Sequence, residues 1–346
     1  MNDIAAWKVH GPVRTVRKEH AEWDQDNGEF KTPRGLTAAT FRPDGQLSES
    51  EYHNPDGSVA RSVRLYDDSG RVLEAQSWID DGPKIRVRYS YDEAGRRSGA
   101  TEVAADGTIV EIETYRYNDA GRKTKIEALR AARMGVDMMH GVEGSEQWYA
   151  APGATASTTV YDDRDLPVEV TLHDPDNLLV LRIDMSRDAD GRLLCEVARS
   201  GGDAPFPGLS ADKLPGDERA QQMALLSAAF ADRPFCAVAF AYDEKGRLIG
   251  RTRKIGSLSE ERTTFAYDDR DDPIAEVSEE YRREVHLDDD GVVQHRENDP
   301  LVQHRRFEYR YDAHGNWTER VAWYRHSAQP DFQRTHVERR TITYYE

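Results

Sequence analysis

The sequence predicts an all-β protein: an antiparallel up-and-down meander of β-hairpin repeats in a curled or spiralling sheet, with one or two short helical insertions. Three observations predict it. A seven-residue phrase recurs along the chain, as "YDDSGRV" (66–72), "YDEAGRR" (91–97), "YNDAGRK" (117–123), "YDEKGRL" (242–248) and "YDAHGNW" (311–317). Gly45, Gly57, Gly70, Gly82, Gly95, Gly107 and Gly121 follow one another at intervals of 12, 13, 12, 13, 12 and 14 residues. After about four turn residues are removed, each interval leaves about eight, a strand of roughly 27 Å. The 346 residues are only 38% hydrophobic and 32% charged, which suits a thin or hollow sheet better than one thick core.

In chain order, residues 1–38 supply one or more N-terminal strands leading into a repeat sheet over 39–346. In "YDxxGR" the Asp carboxylate can accept the backbone N–H two residues on, and Gly takes the left-handed conformation that closes a three-residue loop with a bulge. Gly246 and Gly315 close later copies; in "YDDRDLP" (161–167) and "YDDRDDP" (267–273), Asp165 and Asp271 stand in the glycine position. Turns without the Tyr, such as "NPDG" (54–57), "DDGP" (80–83) and "AADG" (104–107), are expected on the opposite edge. Around Gly70, plain antiparallel alternation sets Leu65 against Leu73 and Val63 against Ala75, and puts an Arg64–Glu74 pair on the face of Tyr66.

Two stretches interrupt the meander. Residues 122–156 contain "IEALRAARMGVDMMHGVEG", expected to be partly helical. Residues 199–234 place Met223, Leu226 and Phe230 at helical spacing between Pro215 and Pro234, which predicts a helix over about 217–231. In the last hairpin the same alternation faces Tyr311 with Trp317, Tyr309 with Glu319 and Phe307 with Val321, and puts Trp323 on that same aromatic face. Tyr309, Tyr311, Trp317 and Trp323 are thus the candidate binding residues, as core or as a sugar- or protein-binding platform.

The recurring "YDDSGR", "YDEAGRR", "YNDAGRK", "YDEKGRL" and "YDAHGNW" resemble the YD repeats of the Rhs family over roughly 39–346. That resemblance implies hairpins winding into a spiralling sheet; in the family's large toxins such a sheet encloses a toxic domain. No toxin domain or self-cleaving segment is recognised here, so a short standalone repeat body is expected.

Chemistry is less legible. The sequence holds no nucleophile elbow, phosphate loop, dinucleotide fingerprint or HExxH helix. "DADG" (188–191) and "DDDG" (288–291) lack the rest of a calcium loop, and the late histidines His286, His295, His304, His314, His326 and His336 are spaced to scatter over both faces; no metal or cofactor is expected. Cys195 and Cys236 read as reduced core residues. A formal charge of −17 makes nucleic acid an unfavourable partner. The absence of an apolar run near 18 residues leads to the expectation of a cytoplasmic chain with no membrane span. The functional expectation is a non-enzymatic binding or scaffold protein for a protein or carbohydrate partner, with a carbohydrate-active hydrolase and an accessory or immunity-type protein of a toxin system as alternatives.

Overall fold

A computed structural model describes residues 3–54, 56–131, 138–141, 148–151, 154–201, 230, 234–287 and 293–346. After a single helical turn, α1 (Asp3–Ala6), come β1 (Val13–Asp24), β2 (Glu29–Phe30), β3 (Arg34–Phe41), β4 (Leu47–His53), β5 (Val59–Tyr66), β6 (Val72–Ile79), β7 (Ile85–Tyr91), β8 (Arg97–Val103) and β9 (Ile109–Tyr117). They are followed by β10 (Lys123–Arg130), β11 (Met138–Gly141), β12 (Trp148–Ala151), β13 (Ala156–Tyr161), β14 (Pro167–His173), β15 (Leu179–Arg187), β16 (Leu193–Ser200) and β17 (Cys236–Tyr242). The chain ends with β18 (Leu248–Ile255), β19 (Ser259–Tyr267), β20 (Pro273–Leu287), β21 (Val293–Glu297), β22 (Leu301–Tyr311), β23 (Trp317–His326) and β24 (Gln333–Tyr344).

The ladder closes. β1 pairs antiparallel with β3 on one side and with β24 on the other, so the expected curled or spiralling sheet of hairpin repeats is corrected to a closed antiparallel barrel of 20 strands. Hairpin spelling is local, whereas closure depends on which distant strand accepts β1; the sequence shows the first and conceals the second. The insertion over 122–156 is also corrected. Lys123–Arg130 is strand β10, paired with β9 and β13, and Met138–Gly141 pairs with Trp148–Ala151. The helix expected over about 217–231 lies, apart from Phe230, outside the described residues, as does the "DDDG" turn.

The repeated phrase builds a clasp. Asp67 Oδ1 accepts the backbone N–H of Ser69 (3.0 Å) and of Arg71 (2.8 Å), and Oδ2 accepts Arg71 Nε (2.7 Å). The Arg71 guanidinium lies 4.9 Å from the ring centre of Tyr91, the Tyr of the next such turn, whose hydroxyl donates to the Val72 carbonyl (2.7 Å). Asp188, Arg192 and Tyr242, and then Asp243, Arg247 and Tyr267, repeat the arrangement, the two tyrosines donating to the carbonyls of Leu193 and Leu248. The Arg71 backbone N–H, helped by Ser69 and the Arg71 side chain, holds the Asp67 carboxyl far below its ordinary range. The glycines at 45, 57, 70, 95, 107, 121, 246 and 315 have φ between 78° and 92°, and Asp165 and Asp271 take 60° and 65°. Gly82 departs from the expected pattern: the left-handed residue of its turn is Asp80 (φ 48°).

A bulge follows the clasp. Tyr66 pairs with Val72, but Leu65 then pairs with Glu74 and Arg64 with Ala75, one residue away from plain alternation. The expected Leu65–Leu73 and Arg64–Glu74 pairs therefore do not form. Glu74 bonds Arg88 (3.0 Å), and Arg64 bonds Asp3 (3.0 Å).

Two compact units divide the chain: 1–110 with 273–275 and 304–346, and 111–272 with 276–303. The first has a core of Val9, Val13, Val16, Ala39 and Phe41 against Ile4, Trp7 and Tyr344. Its seam is fixed by Asn316, which replaces the Arg of the phrase and is 1% exposed. Asn316 Oδ1 accepts the His10 N–H (2.7 Å), while Nδ2 donates to the His10 carbonyl (2.9 Å) and the Tyr344 hydroxyl (2.8 Å). Burial, and then the hydrogen bond to Asp312, raise the Tyr344 phenol to about 12. The second unit centres on Val170, Leu172, Leu181, Ile183, Leu193, Ala198 and Val238, with Cys236 among them; Cys195 and Cys236 are both free thiols.

Two predictions follow from the turn and the seam. Gly95→Val puts a β-branched side chain at φ 78° and is expected to cost about 1–2 kcal/mol or more in chemical denaturation; an unchanged midpoint would contradict the left-handed turn. Asn316→Ala removes a buried amide and leaves the His10 N–H and carbonyl without that partner, and is expected to cost about 1–3 kcal/mol and to accelerate hydrogen exchange at His10.

Candidate functional site

The C-terminal hairpin has two chemically different faces, and the candidate aromatic residues divide between them. Alternation alone would align Trp317 with Trp323. Side-chain contacts across the hairpin instead follow the one-residue shift seen after the other clasps: Arg310 ion-pairs with Glu319 (3.4 Å) and Arg306 lies over Trp323 (5.2 Å), while Phe307 meets Arg320 (5.2 Å) and Tyr309 meets Trp317 (6.3 Å). Tyr309, Tyr311 and Trp317 come together; Trp323 stands apart from them.

The Trp317 face is packed and ionic. Trp317 is 7% exposed, with the Arg340 guanidinium 3.4 Å from its ring centre, and the Tyr309 hydroxyl donates to the Pro273 carbonyl (2.8 Å). On the neighbouring strand the buried Glu338 accepts Lys18 Nζ at 2.6 Å and also pairs with Arg320. Burial would raise its carboxyl, but these two cations outweigh it and hold the group below its ordinary range. His336 stacks at 4.7 Å on His20, and burial first, then the charges of His20, Arg320 and Arg305, push its imidazole down against the opposing pull of Glu338.

The Trp323 face opens into a hollow of about 430 Å³ lined by Trp23, Gln25, Trp323, Gln333 and Arg334. Strand register places it. Ala21 pairs with Val337, and Val337 with Val321; Ala21 and Val337 are buried. Farther along, a bulge at Thr335 moves the β23–β24 pairing from Ala322–His336 to Trp323–Arg334, which brings Arg334 to Trp323. The Arg334 guanidinium lies 4.9 Å from the ring centre of Trp23 and 4.7 Å from that of Trp323, a cation shared by two indoles. Phe30 meets Trp23 edge-on at 4.9 Å, and Gln25 Nε2 donates to Gln333 Oε1 (3.1 Å). The buried Trp323 Nε1–H has no hydrogen-bond partner among the described residues. Trp23, Gln25, Gln333 and Arg334 were not candidates from the sequence, because nothing in their spelling shows that the two ends of the chain are paired.

A larger groove of about 600 Å³ in the same unit is lined by Trp7, Tyr52, Ala60, Ile79, Pro83 and Ile85 around Ser50, Ser62 and Ser77. Its walls are mainly apolar and carry no side-chain amide, and the Arg61 that lines it is already paired with Glu51 (3.0 Å), unlike Arg334 in the Trp23–Trp323 hollow. Among the described residues no group of three His, Cys, Asp or Glu side chains is placed to hold a metal ion.

No protein-family model matches the chain, and no curated relative matches it. Solved structures that match include a TcdB2-TccC3-Cdc42 complex (TM-score 0.37, 11% identity, 91% of this chain and 15% of that one). They also include a porin-like protein from Bacteroides uniformis (0.35, 10%, 97% and 99%) and OccK1 (OpdK) of Pseudomonas aeruginosa (0.24, 11%, 95% and 98%). The chain thus spans about a seventh of the toxin-complex chain. Likenesses of this size assign neither a family nor a function.

The expectations of cytoplasmic residence and of no membrane span are overturned. Both rested on the lack of a long apolar run. Among the described residues no helix is long and apolar enough to cross a membrane, but that test says nothing of a closed barrel, which would cross with strands and needs no long apolar run.

Two measurements separate the faces. Trp317→Ala is expected to cost about 3–5 kcal/mol and Trp323→Ala about 1–2 kcal/mol; equal losses would contradict the division. With its pKa lowered in the fold, His336 makes the unfolded chain the better proton binder. Its contribution is therefore present above about pH 6.5 and is lost as pH falls through that value toward the folded pKa. His336→Asn is expected to flatten that part of the stability–pH curve.

Proposed function

We propose that this barrel is a non-enzymatic binding protein that takes a glycan in the Trp23–Trp323 hollow. The observation that supports the reading is the pair of indoles set beside the bonded amides of Gln25 and Gln333. A pyranose presents an apolar C–H face and a hydroxyl edge, and flat aromatic surface next to planar amides meets both. β1, β23 and β24 are each paired on the strands that flank the hollow, so a partner has side chains to recognise there rather than a free strand edge.

A binding role also suits the carboxylates. A hydrolase acid needs a raised pKa and a second carboxyl at a set separation, whereas Glu51, Glu74 and Glu338 are all held low by hydrogen bonds and ion pairs. These acids serve as anchors.

Titration of the intact protein against a panel of oligosaccharides, followed by tryptophan fluorescence and calorimetry, is expected to give saturable binding without turnover. Trp23→Ala and the surface change Gln333→Ala are expected to weaken it at least about tenfold, and Trp317→Phe to leave it unchanged. Binding of an apolar peptide instead, with the same dependence on Trp23, would replace the glycan reading with a protein partner; glycan turnover would replace it with a hydrolase.

A further inference from the structure

We infer that the hollow selects a carboxylate-bearing saccharide, a sugar of the uronate type, through Arg334; this rests on the glycan reading above. The chain carries 64 acidic and 47 basic side chains, yet guanidinium groups gather at this end of β22–β24. Arg334 is shared by Trp23 and Trp323, Arg306 lies 5.2 Å from Trp323 and 5.4 Å from Phe332, and Arg325 lies 4.9 Å from Phe332. Arg306 is paired with Glu308 at 3.1 Å. Arg325 and Arg334 have no carboxylate or hydrogen-bond partner among the described residues, in a protein where most guanidinium groups beside a strand acid are paired with it.

The chemistry of the group explains the selectivity. A guanidinium carried on aromatic faces keeps its planar fork of N–H donors, which matches the two oxygens of a carboxylate. Two rings confine Arg334, so less side-chain freedom is lost when the fork is engaged. The neighbouring Gln25 and Gln333 amides lie where ring hydroxyls would follow. A neutral sugar would leave the fork facing water; a uronate fills it. The protein's overall negative charge opposes anions elsewhere, so the selectivity is local to this site.

The test compares an oligogalacturonate, a neutral oligosaccharide of equal length, a sulfated oligosaccharide and inorganic phosphate on the full chain and on Arg334→Met and Arg334→Lys. The oligogalacturonate is expected to bind about tenfold or more tighter than the neutral oligomer. Arg334→Met should bring it to the neutral level with the strand circular-dichroism spectrum retained, and Arg334→Lys should restore part of the difference. Tighter binding of the sulfated oligomer than of the uronate, or equal binding of charged and neutral oligomers, would overturn the carboxylate assignment while leaving the glycan reading standing. Uronate affinity that survives Arg334→Met, or that phosphate alone matches, would also overturn it. Failure of every oligosaccharide to bind would remove both.

Discussion

The structure depends on one local interaction, the clasp in which an Asp carboxylate seizes the backbone and side chain of the Arg four residues on. In water a single exposed ion pair of this kind contributes little. Here the carboxylate also accepts backbone N–H groups that would otherwise face solvent at the loop, and the Arg it orients becomes the platform for the Tyr of the next clasp. That Tyr hydroxyl then bonds the main chain just beyond the Arg. At Arg71–Tyr91, Arg192–Tyr242 and Arg247–Tyr267 one turn is thereby tied to the next by a cation, a ring and a hydrogen bond, which fixes spacing along the strand ends in a chain with few apolar residues to spare.

Closure uses a variant of the same phrase. In the final copy Asn316 stands where Arg stands in the others; its amide can both donate and accept, so it grips the backbone of His10 from both sides. An Arg at that position has no acceptor for the His10 N–H. The substitution turns a clasp that points to the next turn into one that holds the beginning of the chain, beside β1 paired to both β3 and β24.

The bulge that accompanies each clasp decides the chemistry of the faces. One extra residue after Gly315 separates Trp317 from Trp323, and another at Thr335 brings Arg334 to Trp323. The first indole packs over Arg340 and beside the buried Glu338 with its partners Lys18 and Arg320; the second lines an open hollow. The same strand thus serves stability on one face and recognition on the other. Both carry aromatic rings and arginines. The difference is that the first face is filled by a buried ionic group around Glu338, whereas the second is open to solvent beside Arg334.

The sequence by itself determined the local structure. The Tyr–Asp–Gly–Arg spelling dictates left-handed glycines, Asp-capped loops and strands of about eight residues, because the forces involved act within five or six consecutive residues. It did not determine register, since a bulge adds one residue without changing the turn signal, and this misplaced Leu65, Leu73 and Trp323. Nor could it show closure, which joins residue 10 to residue 316, or the hollow, whose Trp23 and Arg334 are separated by most of the chain. Those were decided by tertiary structure, because contacts between strands remote in sequence form only when the whole ladder is assembled and leave no periodic mark on either partner.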